Sequence, residues 1–185
     1  MNKKMRCVHI FPKFSNTEEL ETIRREYDHL YDCIEPHITL VFPFESTFTC
    51  EEILKDIKDI FQDEEPFKIT ANGIEGVDNH GYYLFLNIQE GSERIQKLHY
   101  KIHTGILSSF QSDWTKDGSF VPHITIGRFK DKIKMLSVAK KYKNYNSIFS
   151  TIVDRVYIEI IGENEESIIE GEVKLVQGSN LRPIY

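Results

Sequence analysis

The chain has 185 residues, 40% hydrophobic and 28% charged, a balance that excludes a disordered chain and suits an ordinary globule. Its 23 basic and 29 acidic side chains leave a formal charge of −6, which argues against a protein that tracks long nucleic-acid backbones but leaves a small anion or an RNA end open. Cys7, Cys33 and Cys50 lack CxxC spacing, and no apolar run approaches the roughly 18 residues of a membrane span, so disulfide scaffold, cysteine-zinc site and membrane protein are all disfavoured.

Met1–Lys4 leads straight into a strand-like run, so no signal peptide is expected and the predicted setting is the reduced cytoplasm, as one domain over 1–185. Cys7–Phe11 reads as a buried strand ended by Pro12. Ser15–Glu18 fits a capping box for a helix with Leu20, Ile23, Tyr27 and Leu30 on one stripe. Pro36–Phe42 reads as a strand, and Thr49–Glu52 as a second box before a helix carrying Ile53, Leu54, Ile57, Ile60 and Phe61. Phe67–Ile74 and Tyr82–Ile88 read as paired strands around a turn at Gly76–Gly81. Ser92 opens a third helix with Ile95, Leu98, Ile102 and Ile106 inward. Val121–Phe129 is a predicted strand, Lys132–Tyr142 a short helix, and Ile152–Ile161 with Ile168–Val176 a terminal hairpin. The predicted class is α+β.

The tetrapeptide Pro36-His37-Ile38-Thr39 recurs as Pro122-His123-Ile124-Thr125, 86 residues later, each copy opening a strand. That interval is too long for a solenoid period and suits two halves of a pseudo-symmetric fold. Alternate strand residues share a face, so His37 and Thr39 oppose Ile38 and Leu40, and His123 and Thr125 oppose Ile124 and Ile126. Two imidazoles and two hydroxyls without a carboxylate suit a phosphate better than a metal ion. Hydroxyls can hold the non-bridging oxygens while one neutral and one protonated imidazole act as base and acid, both forms coexisting near histidine's ordinary pKa of about 6.5.

This pattern resembles the 2H phosphoesterase superfamily, which includes bacterial RNA 2′,5′-ligases and cyclic phosphodiesterases; its signature is a pair of His-x-Thr/Ser motifs, here His37-Ile38-Thr39 and His123-Ile124-Thr125. The resemblance implies a bilobal α+β fold with antiparallel sheets lining a central cleft and helices outside. It implies cleavage or formation of 2′-linked or 2′,3′-cyclic phosphodiesters at RNA ends or in nucleotides, with no metal and no other cofactor. Carried over, His37 and His123 are the catalytic pair, and Thr39 and Thr125 bind phosphate. The expected partner is an RNA terminus or cyclic nucleotide, with no membrane and no obligate protein partner. The rival reading is a non-catalytic nucleotide-phosphate-binding module on the same scaffold.

Phe44 and Tyr83 are further candidates, for base stacking. Arg128 is a candidate phosphate ligand, although strict alternation from His123 puts it on the face of Ile124 and Ile126; only a bulge would bring it round. His99 and His103, four apart on the third helix, read as flanking-face residues without chemistry. The lysines from Lys130 to Lys143 make a locally basic stretch near the second motif.

Overall fold

Short helices alternate with strands whose buried residues recur every second position. The computed structural model describes residues 3–176. Strand β1 (Lys4–Ile10) leads through a Pro12 loop to helix α1 (Thr17–Tyr27), and β2 (Ile38–Ser46) to α2 (Cys50–Ile60). Then come β3 (Phe67–Asp78), β4 (Tyr82–Ile88), α3 (Ser92–Ile102), two 3-10 turns at Ser108–Phe110 and Asp113–Thr115, β5 (His123–Phe129) and α4 (Lys132–Lys141). Strands β6 (Phe149–Val153), β7 (Arg155–Ile161) and β8 (Ser167–Lys174) close the described chain.

The box before α2 forms as expected: the Glu52 amide donates to the Thr49 hydroxyl at 3.2 Å, and the Thr49 amide donates to the Glu52 carboxylate at 2.7 Å. The expected box at Ser15 does not form. Asn16 is the N-cap without a side-chain cap, and the Thr17 hydroxyl donates back to the Phe14 carbonyl at 2.7 Å instead. Leu30 lies beyond α1, whose buried stripe is Leu20, Ile23 and Arg24. Ser92 is the first residue of α3 and Gly91 its cap; a side chain at Gly91 would sit 2.6 Å from the Lys68 carbonyl, and its φ of 82° favours glycine.

Two four-stranded sheets form, both antiparallel throughout, in the orders β2-β1-β7-β8 and β5-β4-β3-β6. The orders superpose as an internal two-fold: β2 corresponds to β5, β1 to β4, β7 to β3 and β8 to β6. The helices interlock the halves. Helix α1 follows β1 but packs on β5, and α3 follows β4 but packs on β2. The motif aliphatics Ile38, Leu40, Ile124 and Ile126 are 0% exposed within this core, each contributing about 1.5–3 kcal/mol by burial.

One expected element is corrected. Ile152–Ile161 is not one hairpin arm: the run breaks at Asp154, with β6 paired to β3 in one sheet and β7 paired to β1 and β8 in the other. The buried residues Val153 and Val156 are three apart, a slip in the two-residue period that turns the chain from one sheet to the other. Among the described residues, no helix is long and apolar enough to cross a membrane.

Candidate functional site

Both motifs open a strand behind a buried proline, and the residue before proline is held extended. In each copy the imidazole Nδ1 reaches back to the carbonyl two residues earlier: His37 Nδ1 lies 2.9 Å from the Glu35 oxygen, and His123 Nδ1 lies 2.8 Å from the Val121 oxygen. A carbonyl only accepts, so Nδ1 carries the proton in both rings and Nε2 is left for a ligand. His37, Thr39, His123 and Thr125 are all half-buried, while the aliphatics between them are fully covered. The predicted parity holds in both strands.

It holds only as far as the threonines, because each strand then bulges. Across β4 and β5, Phe85 opposes Thr125 but Leu84 opposes Gly127, which leaves Ile126 without a partner. Arg128 is thereby turned to the side of His123, opposite Tyr83, with its guanidinium carbon 5.8 Å from the Tyr83 ring centre. Strict alternation is overridden here. The same slip occurs in β2, where His9 opposes Thr39 and Val8 opposes Val41, leaving Leu40 over. The Leu40 carbonyl accepts from His99 Nδ1 at 2.8 Å. His99 and His103 are therefore core residues, 0% and 7% exposed, and not flanking ones. Burial holds the His99 imidazole down to about 4, so it is neutral at pH 7.

Strands β2 and β5 run against each other, and the positive charge of Arg128 bears on both imidazoles, so the two motifs share one electrostatic region. Desolvation lowers the pKa of His37 well below its ordinary value, with His9, Arg24 and Arg128 adding to the effect. His123 is also lowered, first by desolvation and then by Arg128, against the opposing pull of the Val121 carbonyl. Both shifts favour the neutral imidazole at pH 7 when no anion is bound. Arg128 Nε lies 3.8 Å from Asp28 Oδ1, and Asp28 Oδ2 accepts from Arg24 Nε at 3.1 Å. Buried Arg24 also donates to the Ile34 carbonyl at 2.7 Å, so one polar chain ties α1 to the approach of the first motif and to the end of the second.

The stacking candidates separate. Tyr83 is half-buried on the motif side of β4, its ring 5.7 Å from Phe85. Phe44 is 4% exposed and packs against Phe110 at 4.8 Å; it is a core residue and offers no face to a ligand. Two aromatic residues were not anticipated. Phe42 occupies in β2 the position after the bulge that Arg128 has in β5, and its ring lies 5.5 Å from Trp114, which is 51% exposed and also faces His80 at 5.7 Å. The single tryptophan of the chain, in a polar loop, was the available signal. A cavity of about 400 Å³ adjoins the first motif, lined by Phe11, Lys13, Tyr31, Glu35, Tyr157 and Ser167 among others.

Among the described residues, the only histidine, cysteine and acidic side chains grouped closely enough for a cation are Cys7, His9 and Glu159, all buried. The Cys7 thiol is pushed far up by burial and by Glu159, which keeps it protonated, and His9 already faces Glu159 at 3.3 Å. The grouping is a closed polar pair beside a thiol, not an open metal site.

The sequence profile of the 2′-5′ RNA ligase superfamily matches residues 12–165. The chain belongs to that superfamily. A protein of Geobacillus sp. (strain WCH70) that carries the name "Putative phosphoesterase" is 29% identical over 150 residues, covering 80% of this chain and 83% of its own. One of Oceanobacillus iheyensis with the same name is 33% identical over 123 residues, covering 64% and 67%. The fold is that of E. coli LigT, solved with 3′-AMP: TM-score 0.66 at 16% identity, over 95% of this chain and 100% of LigT. TT0787 of Thermus thermophilus gives 0.55 at 16% identity, over 92% and 97%. As a 2′-5′ RNA ligase superfamily member, the chain carries its two His-x-Thr copies at corresponding positions of the two sheets.

Proposed function

We infer that the protein is a metal-independent phosphoesterase acting on 2′,3′-cyclic or 2′-linked phosphodiesters of RNA ends or nucleotides. The observation that carries this is the duplicated cradle: two imidazoles with Nδ1 anchored to backbone carbonyls, each followed on the same face by a threonine hydroxyl. A phosphate between them takes hydroxyl donors from Thr39 and Thr125 and a charge-assisted donor from Arg128. One neutral imidazole accepts a proton from water at Nε2 as the water oxygen bonds to phosphorus. The other, protonated once the anion is bound, returns a proton from Nε2 to the departing ribose oxygen as the phosphorus–oxygen ester bond breaks. With the hydroxyl of a second ribose in place of water, the same steps open the cyclic phosphate onto that oxygen and leave a new phosphodiester, which is the ligase reaction; run backwards, they re-form the cyclic phosphate and release the hydroxyl. LigT is solved with 3′-AMP and with ATP, which supports a nucleotide as ligand for this fold. Tyr83, Phe42 and Trp114 offer ring faces, and stacking is tolerant of base identity.

The test is hydrolysis of the four nucleoside 2′,3′-cyclic monophosphates with and without chelator. Turnover with little base preference, unchanged by chelation, is expected, together with no cleavage of double-stranded DNA. Tight binding without turnover at every pH would move the protein to the binding-module reading. Loss on chelation and recovery with zinc or manganese would move it to metal-assisted hydrolysis.

A further inference from the structure

The two ends of the first motif open onto different surroundings. Beyond Thr39, β2 bulges and carries Phe42, whose ring meets the half-exposed Trp114. Ahead of His37 lies the cavity of about 400 Å³, a size that suits a small ligand. It is walled by the segment from Tyr31 to Glu35, by Phe11 and Lys13 of the loop after β1, and by Tyr157 and Ile169 of β7 and β8. It adjoins the imidazole itself: the Phe11 ring centre is 6.1 Å from that of His37, and the Glu35 carbonyl accepts from His37 Nδ1. Phe11 and Tyr157 meet edge to face at 5.3 Å, and both are only half-buried. The charges around the cavity disfavour a second phosphate. Glu21, Asp32 and Glu35 outnumber Lys13, which is ion-paired with Glu35, and Glu21 is held by Arg24 at 3.1 Å. Aromatic and aliphatic walls with carboxylate acceptors suit an uncharged base, which stacks on rings and donates from its edge.

We propose that this cavity is a second nucleoside subsite, which makes the preferred substrate an RNA end of two or more nucleotides rather than a free cyclic mononucleotide. The proposal rests on the phosphodiester reading above and adds the length of chain that the site senses. With the phosphorus at the motifs, one nucleoside runs past Thr39 towards the Phe42 and Trp114 rings. Its neighbour in the chain runs past His37 into the cavity. A mononucleotide fills one of these two arms and leaves the other to water. The cavity nucleoside supplies binding energy remote from the bonds that form and break, and such energy holds the reacting phosphate in place.

Two measurements test this, and one of them needs no turnover. Dinucleotides ending in a 2′,3′-cyclic phosphate should exceed the matching mononucleoside cyclic phosphates in kcat/KM by roughly 10- to 100-fold, the worth of one stacked base. Ile169→Trp, which fills the cavity from β8 at a position 49% exposed, should bring that ratio close to one. The second measurement uses Cys33, a free, half-buried thiol on the cavity wall, with Cys50, half-buried and outside the cavity, as the reference. Adenylyl-adenosine 2′-phosphate should slow alkylation of Cys33 by N-ethylmaleimide by about five-fold or more, read by peptide mass mapping, and leave Cys50 unchanged. Adenosine 2′-phosphate should protect neither. Equal kcat/KM for the two substrate lengths, a gain that survives Ile169→Trp, or a Cys33 labelled equally fast with and without the dinucleotide overturns the subsite and leaves the reaction in place. Equal protection by adenosine 2′-phosphate overturns it as well, since the cavity would then hold the first nucleoside. Protection of Cys33 by the dinucleotide alone, in a protein that turns over neither substrate, would leave the subsite standing and remove the proposed reaction instead.

Discussion

His37 and His123 differ from ordinary strand-start histidines in what their rings are bonded to. Each Nδ1 is spent on a backbone carbonyl, so removing the ring removes a positioned Nε2. Replacing either by alanine should lower turnover on 2′,3′-cyclic nucleotides on the order of 10²–10⁴-fold with circular dichroism unchanged. The double variant should lose less than the product of the two, because both act on one transition state. Arg128→Met should act mainly on KM, by roughly 10- to 100-fold, the worth of about 1.5–3 kcal/mol for a hydrogen bond to a charged group; a kcat loss with KM unchanged would contradict its assignment to the bound phosphate. Arg24 is a different case, being fully buried between Asp28 and the Ile34 carbonyl. Arg24→Leu strands Asp28 and should cost about 3–5 kcal/mol in a urea melt, for want of a cation rather than of volume.

At the level of the strand, the bulges decide where side chains go. Gly127 follows the bulged Ile126, and a Cβ there would meet the Tyr27 Cβ at 3.1 Å and the Leu84 Cβ at 3.2 Å, both fixed to backbone. Gly127→Ala should therefore destabilise by about 1–3 kcal/mol and loosen α1 against β5; an unchanged melting temperature would show that the strand can shift freely. His99 supports the other bulge. Its folded pKa of about 4 lies below that of the unfolded chain, near 6.5, so the group is silent at pH 7. As pH falls below about 6.5 the unfolded chain takes the proton first, and stability should drop until about pH 4, by on the order of 3 kcal/mol for this residue. His99→Leu should be less stable at pH 7, through the unbonded Leu40 carbonyl, and should fall less steeply with acid.

These elements also show what a sequence can carry. The parity of His-x-Thr and the burial of Ile38, Leu40, Ile124 and Ile126 are local properties, legible residue by residue. A bulge is a mismatch between two strands, so the position of Arg128 needed the register of β4 against β5. His9 and Phe85 were invisible for the same reason: each lies behind a motif only through pairing. The break at Asp154 hid inside a continuous apolar run, and Phe44 looked like a ligand-facing aromatic until its packing against Phe110 was known.

For the whole molecule, the interlocked halves put two neutral imidazoles and one guanidinium in a shared region of a chain whose net charge is −6. Because both rings are depressed when no anion is present, the kcat/KM profile, which reports the free protein, should peak below pH 6.5. A bound phosphodiester offsets that depression, so kcat should peak at higher pH than kcat/KM. Both limbs belong to the pair and not to either residue alone. Coincident optima at or above neutrality would contradict the electrostatic account. The claim on which all of this stands is that the two motifs form a single phosphate site. A crystal structure with a nucleoside 2′-phosphate tests it directly. The account predicts the phosphorus between the two Nε2 atoms, with Thr39 and Thr125 hydroxyls on its free oxygens; a phosphate held by one motif alone, or bound elsewhere on the protein, would contradict it.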